Sequence, residues 1–238
     1  SRIAHIIKNH KAFPDQILAV TFTNKAAKEM QTRVSRFLKK EATGLPWLGT
    51  FHSISAKLLR KHADAVGLKS NFSIIDQDDQ LRLIKNICKA ENIDIKKISP
   101  KFILAIIDKW KNKGFYPDEV ILKRKEVLER NFLRIYKIYQ QKLIDLNGAD
   151  FSDLILHIVK IFEKNKDISE LYSKKFKYIL VDEYQDTNYI QSEWLRHLSA
   201  FNQNICCVGD DDQSIYSWRG AEIKNFLDFS KIYKNTKI

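Results

Sequence analysis

Four short runs of the sequence, "QILAVTFT" (16–23), "LPWLGTFH" (45–52), "FKYILVDE" (176–183) and "NICCVGD" (204–210), constrain the fold more than any other feature. A strand with one face in water alternates apolar and polar residues. Several of these runs are continuously apolar instead, so both faces must be covered, which is the pattern of parallel strands packed under helices on either side. Amphipathic segments between the runs supply those helices, and the expected class is an α/β fold built on a parallel sheet. With 238 residues, 44% of them hydrophobic, the chain can bury a core as one large domain or two small ones.

The middle of the chain reads differently. From about residue 78 to 146 the apolar spacing is helical: "DDQLRLIKNICKAENI", then "SPKFILAIIDKWKNK" with Pro100 near a helix start, then "PDEVILKRKEVLERNFLRIYKIYQQKLIDLNG" closing on Gly148. This is the pattern of an all-helical insertion between two halves of a sheet domain. Residues 81–145 carry 16 Lys and Arg against 8 Asp and Glu, a net +8 of the chain's +12. That excess, with a sequence pI near 9.4, suits a polyanionic partner. A solvated helical face explains it equally well.

Cys88, Cys206 and Cys207 form neither a disulfide framework nor a CxxC metal pair, and two of them fall in an apolar run. Buried thiols in a reducing compartment are expected. No apolar stretch is long enough to span a bilayer, and no signal-peptide pattern is present, so the expected location is cytoplasmic with no membrane partner. The opening "SRIAHIIKNH" has no initiator Met and sets Ile3, Ile6 and Ile7 at helical spacing. A helix already under way is expected, with something missing upstream.

In open parallel sheets, ligands bind beyond the carboxyl ends of the strands. All four runs end in residues with chemical uses: Phe22, Thr23 and Asn24; Thr50, Phe51 and His52; Asp182 and Glu183; Asp210, Asp211, Asp212 and Gln213. An apolar run ending in Asp182 and Glu183 implies a cation, a proton to move or water close by, because an uncompensated buried charge is costly. The pair fits a nucleotide-hydrolysing site, where the Asp helps hold Mg²⁺ and the Glu deprotonates the attacking water. It also fits, less well, acids capping a following helix, with Gln185, Asp186 and Thr187 forming a turn or cap. Gln213 offers an uncharged donor to a terminal phosphate. Tyr216 and Trp218 offer flat faces for bases, and Arg219 beside Trp218 can pair a phosphate. Phe22 and Phe51, with His52, form a second aromatic edge suited to single strands.

"AVTFTNKAAKEM", "GTFHS", "GADFSDLI", "ILVDEYQDTN" and "VGDDDQSIYSWRGA", in this order, closely resemble the successive motifs of the UvrD/Rep/PcrA group of superfamily 1 DNA helicases. The resemblance covers nearly the whole chain and is weakest in the helical insertion. It implies a RecA-like P-loop NTPase sheet domain, interrupted by a helical domain, that uses ATP and Mg²⁺ to step along single-stranded DNA from 3′ to 5′. By that resemblance residues 1–70 and 147–238 are the two parts of the RecA-like domain and 71–146 the insertion, facing duplex/single-strand junctions. Asp182 would help hold Mg²⁺, Glu183 would be the catalytic base and Gln213 would sense the γ-phosphate. Phe22, Thr23, Asn24, Phe51, His52, Tyr216, Trp218 and Arg219 would contact DNA.

The sequence also departs from that group. A phosphate loop, G-x-x-x-x-G-K-[ST], is required to hold the β and γ phosphates, and none of the seven glycines begins one. The expected sheet is therefore incomplete, and the polypeptide alone is expected to have little ATPase, its missing segments or a partner protein supplying the rest. Two other readings compete: a non-catalytic module that binds single-stranded DNA, and a metal nuclease built on Asp182, Glu183, Asp210 and Asp212.

Overall fold

The computed structural model describes residues 2–38, 44–93, 98–122, 127–213, 223–234 and 236–237. Tyr216, Trp218 and Arg219 lie outside the described residues. The chain divides into two compact units, one of residues 1–55 with 159–238 and one of residues 56–158.

The strands in chain order are β1 (Ile17–Thr21), β2 (Leu48–Thr50), β3 (Ser73–Ile75), β4 (Gly148–Asp150), β5 (Tyr178–Val181) and β6 (Ile205–Cys207). In the first unit, β2, β1, β5 and β6 form a four-stranded sheet in that order, and all of its pairings are parallel. Every residue of β1 is buried, as a central strand covered on both faces requires. Its side chains alternate across the sheet. Ile17 and Ala19 join a core with Ile3, Ala4 and Ile6 of helix Arg2–Lys8 and Val34 and Leu38 of helix Asn24–Leu38. Leu18 and Val20 are also buried and point to the other face. Cys88 is buried but Cys206 and Cys207 are only partly covered, contrary to the sequence expectation, because β6 is an outer strand of the described sheet.

The second unit is mostly helical. Helices Gln77–Ala90, Pro100–Asn112 and Val127–Asp145 pack around Ile84, Ile87, Ile103, Ile107, Ile135, Tyr136, Tyr139 and Leu143. Ser99 caps the second helix by accepting the Phe102 N–H at 3.2 Å, with Pro100 at its first position, where a missing N–H costs nothing. The long helix expected from residue 117 onward is broken. Pro117–Glu119 form a 3₁₀ turn in which the Glu119 carboxylate accepts the Tyr116 N–H at 2.7 Å, residues 120–122 are irregular, and a regular helix is described over Val127–Asp145. The short parallel pair β3 and β4, which no periodicity announced, flanks this helical stretch, and Gly148 belongs to β4 rather than to a helix end.

The same unit buries a cation between two acids. Lys111 is fully enclosed, with Nζ 2.7 Å from Asp150 Oδ2 and 2.7 Å from Asp153 Oδ1. Tyr139 Oη donates to Asp150 at 2.9 Å and Gln140 Nε2 to Asp153 at 3.1 Å. The two acids also cap helix Phe151–Lys164 reciprocally: the Asp153 N–H donates to Asp150 and the Asp150 N–H to Asp153. "GADFSDLI" is thus an ion-pair and capping motif.

Candidate functional site at the sheet rim

Parallel pairing brings all four strand ends of the first unit to one rim. The register sets Thr21 beside Thr50, Val20 beside Val181 and Val181 beside Cys207, so the residues that follow leave the sheet at nearly one level. The turn after each strand is determined locally. Thr23 Oγ1 accepts the Ala26 N–H at 3.1 Å and caps helix Asn24–Leu38. Thr50 and Ser53 exchange side-chain and backbone bonds of 2.9 and 3.1 Å at the start of helix Phe51–Lys61. Asn188 and Gln191 form a reciprocal cap, 3.0 Å each way, that starts helix Tyr189–Ser199.

On the β1 and β2 side three rings form a column. Phe22 lies 5.3 Å from Phe51 at a tilt of 56°, and Phe51 meets Trp194 edge-on at 5.5 Å. Phe22 is partly exposed, whereas Phe51 is 1% exposed and Trp194 is fully buried. The structure therefore corrects the expectation for Phe51: its ring offers no face to a base and instead supports Phe22 from behind. Thr23 and Asn24 are exposed beside Phe22. His52 is half-buried, and burial pushes its pKa below the ordinary value, so it is neutral at pH 7.

On the β5 and β6 side Asp182 is half-buried and Glu183 exposed. Burial raises the Asp182 carboxyl above the usual range and the neighbouring Glu183 charge raises it further; the Glu183 backbone N–H and Arg33 oppose this. A divalent cation at Asp182 would relieve both penalties, so the donor set fits Mg²⁺, which takes one or two carboxylates and fills its remaining positions with water and phosphate. Among the described residues no three His, Cys, Asp or Glu side chains are grouped to hold a metal by themselves.

Glu183 has φ +55° and ψ 42°, the left-handed region that a non-glycine residue enters at a cost of roughly 1–3 kcal/mol. It is held there from both sides. The Asp182 N–H donates to Val20 O at 3.0 Å and the Tyr184 N–H to Val208 O at 2.9 Å. Gln185, 1% exposed, donates from Nε2 to Glu183 Oε2 at 2.8 Å and accepts the Asp210 N–H on Oε1 at 3.1 Å. Asp210 Oδ2 in turn accepts from Gln213 Nε2 at 2.6 Å. Glu183 and Gln213 thus sit on one hydrogen-bonded chain. The sequence alone suggests only a turn or cap for Gln185; its signal is an uncharged donor and acceptor two positions after Glu183.

The family model for the UvrD/REP helicase N-terminal domain matches residues 1–234. A probable DNA helicase II homolog of Rickettsia conorii is 48% identical over 241 residues, covering 100% of this chain and 36% of that protein. The ATP-dependent DNA helicase PcrA of Bacillus subtilis is 44% identical over 237 residues, covering 100% of this chain and 32% of that protein. The PcrA of Staphylococcus aureus is 41% identical over 232 residues, with shares of 98% and 32%. The chain therefore spans about a third of the length of these curated relatives.

Proposed function

The chain belongs to the UvrD/REP helicase N-terminal domain family, and from that premise we propose that it is the part of an ATP-dependent DNA helicase that joins nucleotide hydrolysis to single-stranded DNA. The observation that carries this reading is the common rim, where the Asp182–Glu183 tip and the Asp210–Gln213 tip are linked through Gln185 beside the partly exposed Phe22 ring.

In this reading Asp182 holds Mg²⁺, whose charge, when bound, offsets that of the phosphates. Glu183 is exposed and takes the proton of the attacking water at a carboxylate oxygen. Gln213 presents its amide to the terminal phosphate. Phe22, backed by Phe51, stacks a base, with Thr23, Asn24 and His52 alongside. For Tyr216, Trp218 and Arg219 the assignment to DNA contact rests on the sequence resemblance alone. Movement on single strands runs 3′ to 5′, the helical stretch 71–146 faces the duplex side of a junction, and the setting is cytoplasmic DNA repair or replication. Among the described residues no helix is long and apolar enough to cross a membrane.

A polypeptide of these 238 residues contains no G-x-x-x-x-G-K-[ST] loop, so by itself it should turn over ATP negligibly. A second reading, resting on the partly exposed Phe22 ring, is a module that binds single strands without hydrolysis. Both are tested with labelled oligo(dT) and Mg-ATP on the gene product that carries this sequence. Phe22→Ala should weaken oligo(dT) binding by about 1–3 kcal/mol, and Glu183→Gln should abolish DNA-stimulated turnover while leaving DNA binding intact. DNA binding without any turnover in the wild type would select the second reading; unchanged binding by Phe22→Ala would remove the track.

A further inference from the structure

We propose that Gln185 is a positioning residue that holds the Glu183 carboxylate and the exit of β6 as one mechanical unit. The inference rests on the reading of Glu183 as the catalytic base and deepens it by naming what aims that base.

Four observations converge. Gln185 is buried, yet both ends of its amide are engaged, Nε2 with Glu183 Oε2 at 2.8 Å and Oε1 with the Asp210 N–H at 3.1 Å. The orientation is dictated by its partners: reversing the amide would face donor against donor and acceptor against acceptor. Gly209 leaves the room for it, since a Cβ there would stand 2.5 Å from Gln185 Oε1 and 2.9 Å from Phe226. Finally, Glu183 sits in a left-handed conformation whose side chain is exposed and, without Nε2, would be free to change rotamer.

The bridge has a consequence for function. A shift of the β6 exit moves Asp210 and therefore pulls Gln185, which changes where the Glu183 carboxylate points. Because Gln213 donates to Asp210 at 2.6 Å, whatever engages Gln213 is felt at the base. Only a side chain with one donor and one acceptor does this. Ionised glutamate keeps the acceptor toward Asp210 but sets a second carboxylate against Glu183 in place of the donor, whereas its protonated form can still donate; methionine, of similar length, loses both.

The test compares wild type, Gln185→Met and Gln185→Glu in the gene product that carries this sequence, measuring oligo(dT)-stimulated Mg-ATP hydrolysis, melting temperature and hydrogen exchange over residues 208–213. Both variants should lose roughly 10- to 100-fold in kcat, the usual consequence of removing a group that orients a catalytic one, with KM for Mg-ATP changed less than about twofold. Exchange over 208–213 should accelerate in Gln185→Met and stay slow in Gln185→Glu. That split separates the two bonds, and the kcat of Gln185→Glu alone still tests the bond to Glu183 if Gln185→Met does not fold. A Gln185→Glu enzyme with wild-type kcat at every pH from about 6 to 9 would overturn the positioning role, since ionisation of that carboxyl removes the donor, and unchanged exchange in Gln185→Met would overturn the tie to β6. A wild type without any turnover would overturn the base assignment itself and the inference with it, which is a different result from an active wild type indifferent to Gln185.

Discussion

Replacing Lys111 with Met should be among the most damaging single changes in the second unit. The Lys111 side chain is 0% exposed, and its ammonium is 2.7 Å from each of two carboxylates that are 1% and 0% exposed. Burial by itself would lower its pKa, but Asp150 and Asp153 outweigh this and hold it above the usual value. Met preserves the length of the stem and its packing near the Tyr139 ring, where Nζ stands 5.1 Å from the centroid, so the loss isolates the charge. Breaking a buried pair from one side typically costs about 3–5 kcal/mol, because the charge left behind is uncompensated. Here two acids are left, and they need not both stay charged: one can take a proton. A folded-state carboxyl raised above its unfolded value binds its proton first in the folded chain, so stability falls as pH rises through that window. The deficit of Lys111→Met relative to wild type should therefore be largest at pH 8 and narrow toward pH 5, by up to about 1.4 kcal/mol per pH unit. Urea unfolding at both pH values measures it, with hydrogen exchange in helices Pro100–Asn112 and Phe151–Lys164 to locate the loss, since two compact units need not unfold in one transition. A deficit below about 1 kcal/mol at pH 8, the size expected of a surface pair, or an equal deficit at both pH values would refute the reasoning.

Two further changes follow from the same structure. Phe51→Ala should cost about 3–5 kcal/mol in urea unfolding, because the ring is 1% exposed, and should also weaken oligo(dT) binding by loosening Phe22; lost binding at unchanged stability would show Phe51 to be a direct contact. Asp108 is pushed up to about 6, by burial first and then by Asp150, from 3.8. Its contribution thus declines as pH rises from about 4 to 6 and is flat above, and Asp108→Asn should remove that slope and stabilise the chain at pH 7 by at most about 3 kcal/mol; an unchanged slope would exclude it as the titrating group.

Much of the rim could be read from the chain alone. A central parallel strand buried on both faces has to be almost continuously apolar, and "ILAV" is, so β1 announced itself and with it the place where Phe22 to Asn24 emerge. The acids of "VDE" stand at a strand end because the apolar run stops there. By contrast, β3 and β4 are three residues each, too short for a periodic signal, and the break after Pro117 was hidden by apolar spacing that stays helical on both sides of it.

The linear order of residues by itself determined an α/β fold, the strand ends and the chemistry gathered there, since apolar period and run length are local properties set by whether one or both faces are covered. Only the tertiary structure decided which groups meet. β1 pairs with β5 about 160 residues later in the chain, which closes the rim; Lys111 finds Asp150 and Asp153; Phe51 turns inward onto Trp194; and Gln185 reaches both Glu183 and Asp210. Burial and hydrogen-bond partnership depend on neighbours distant in sequence, and no local pattern encodes them.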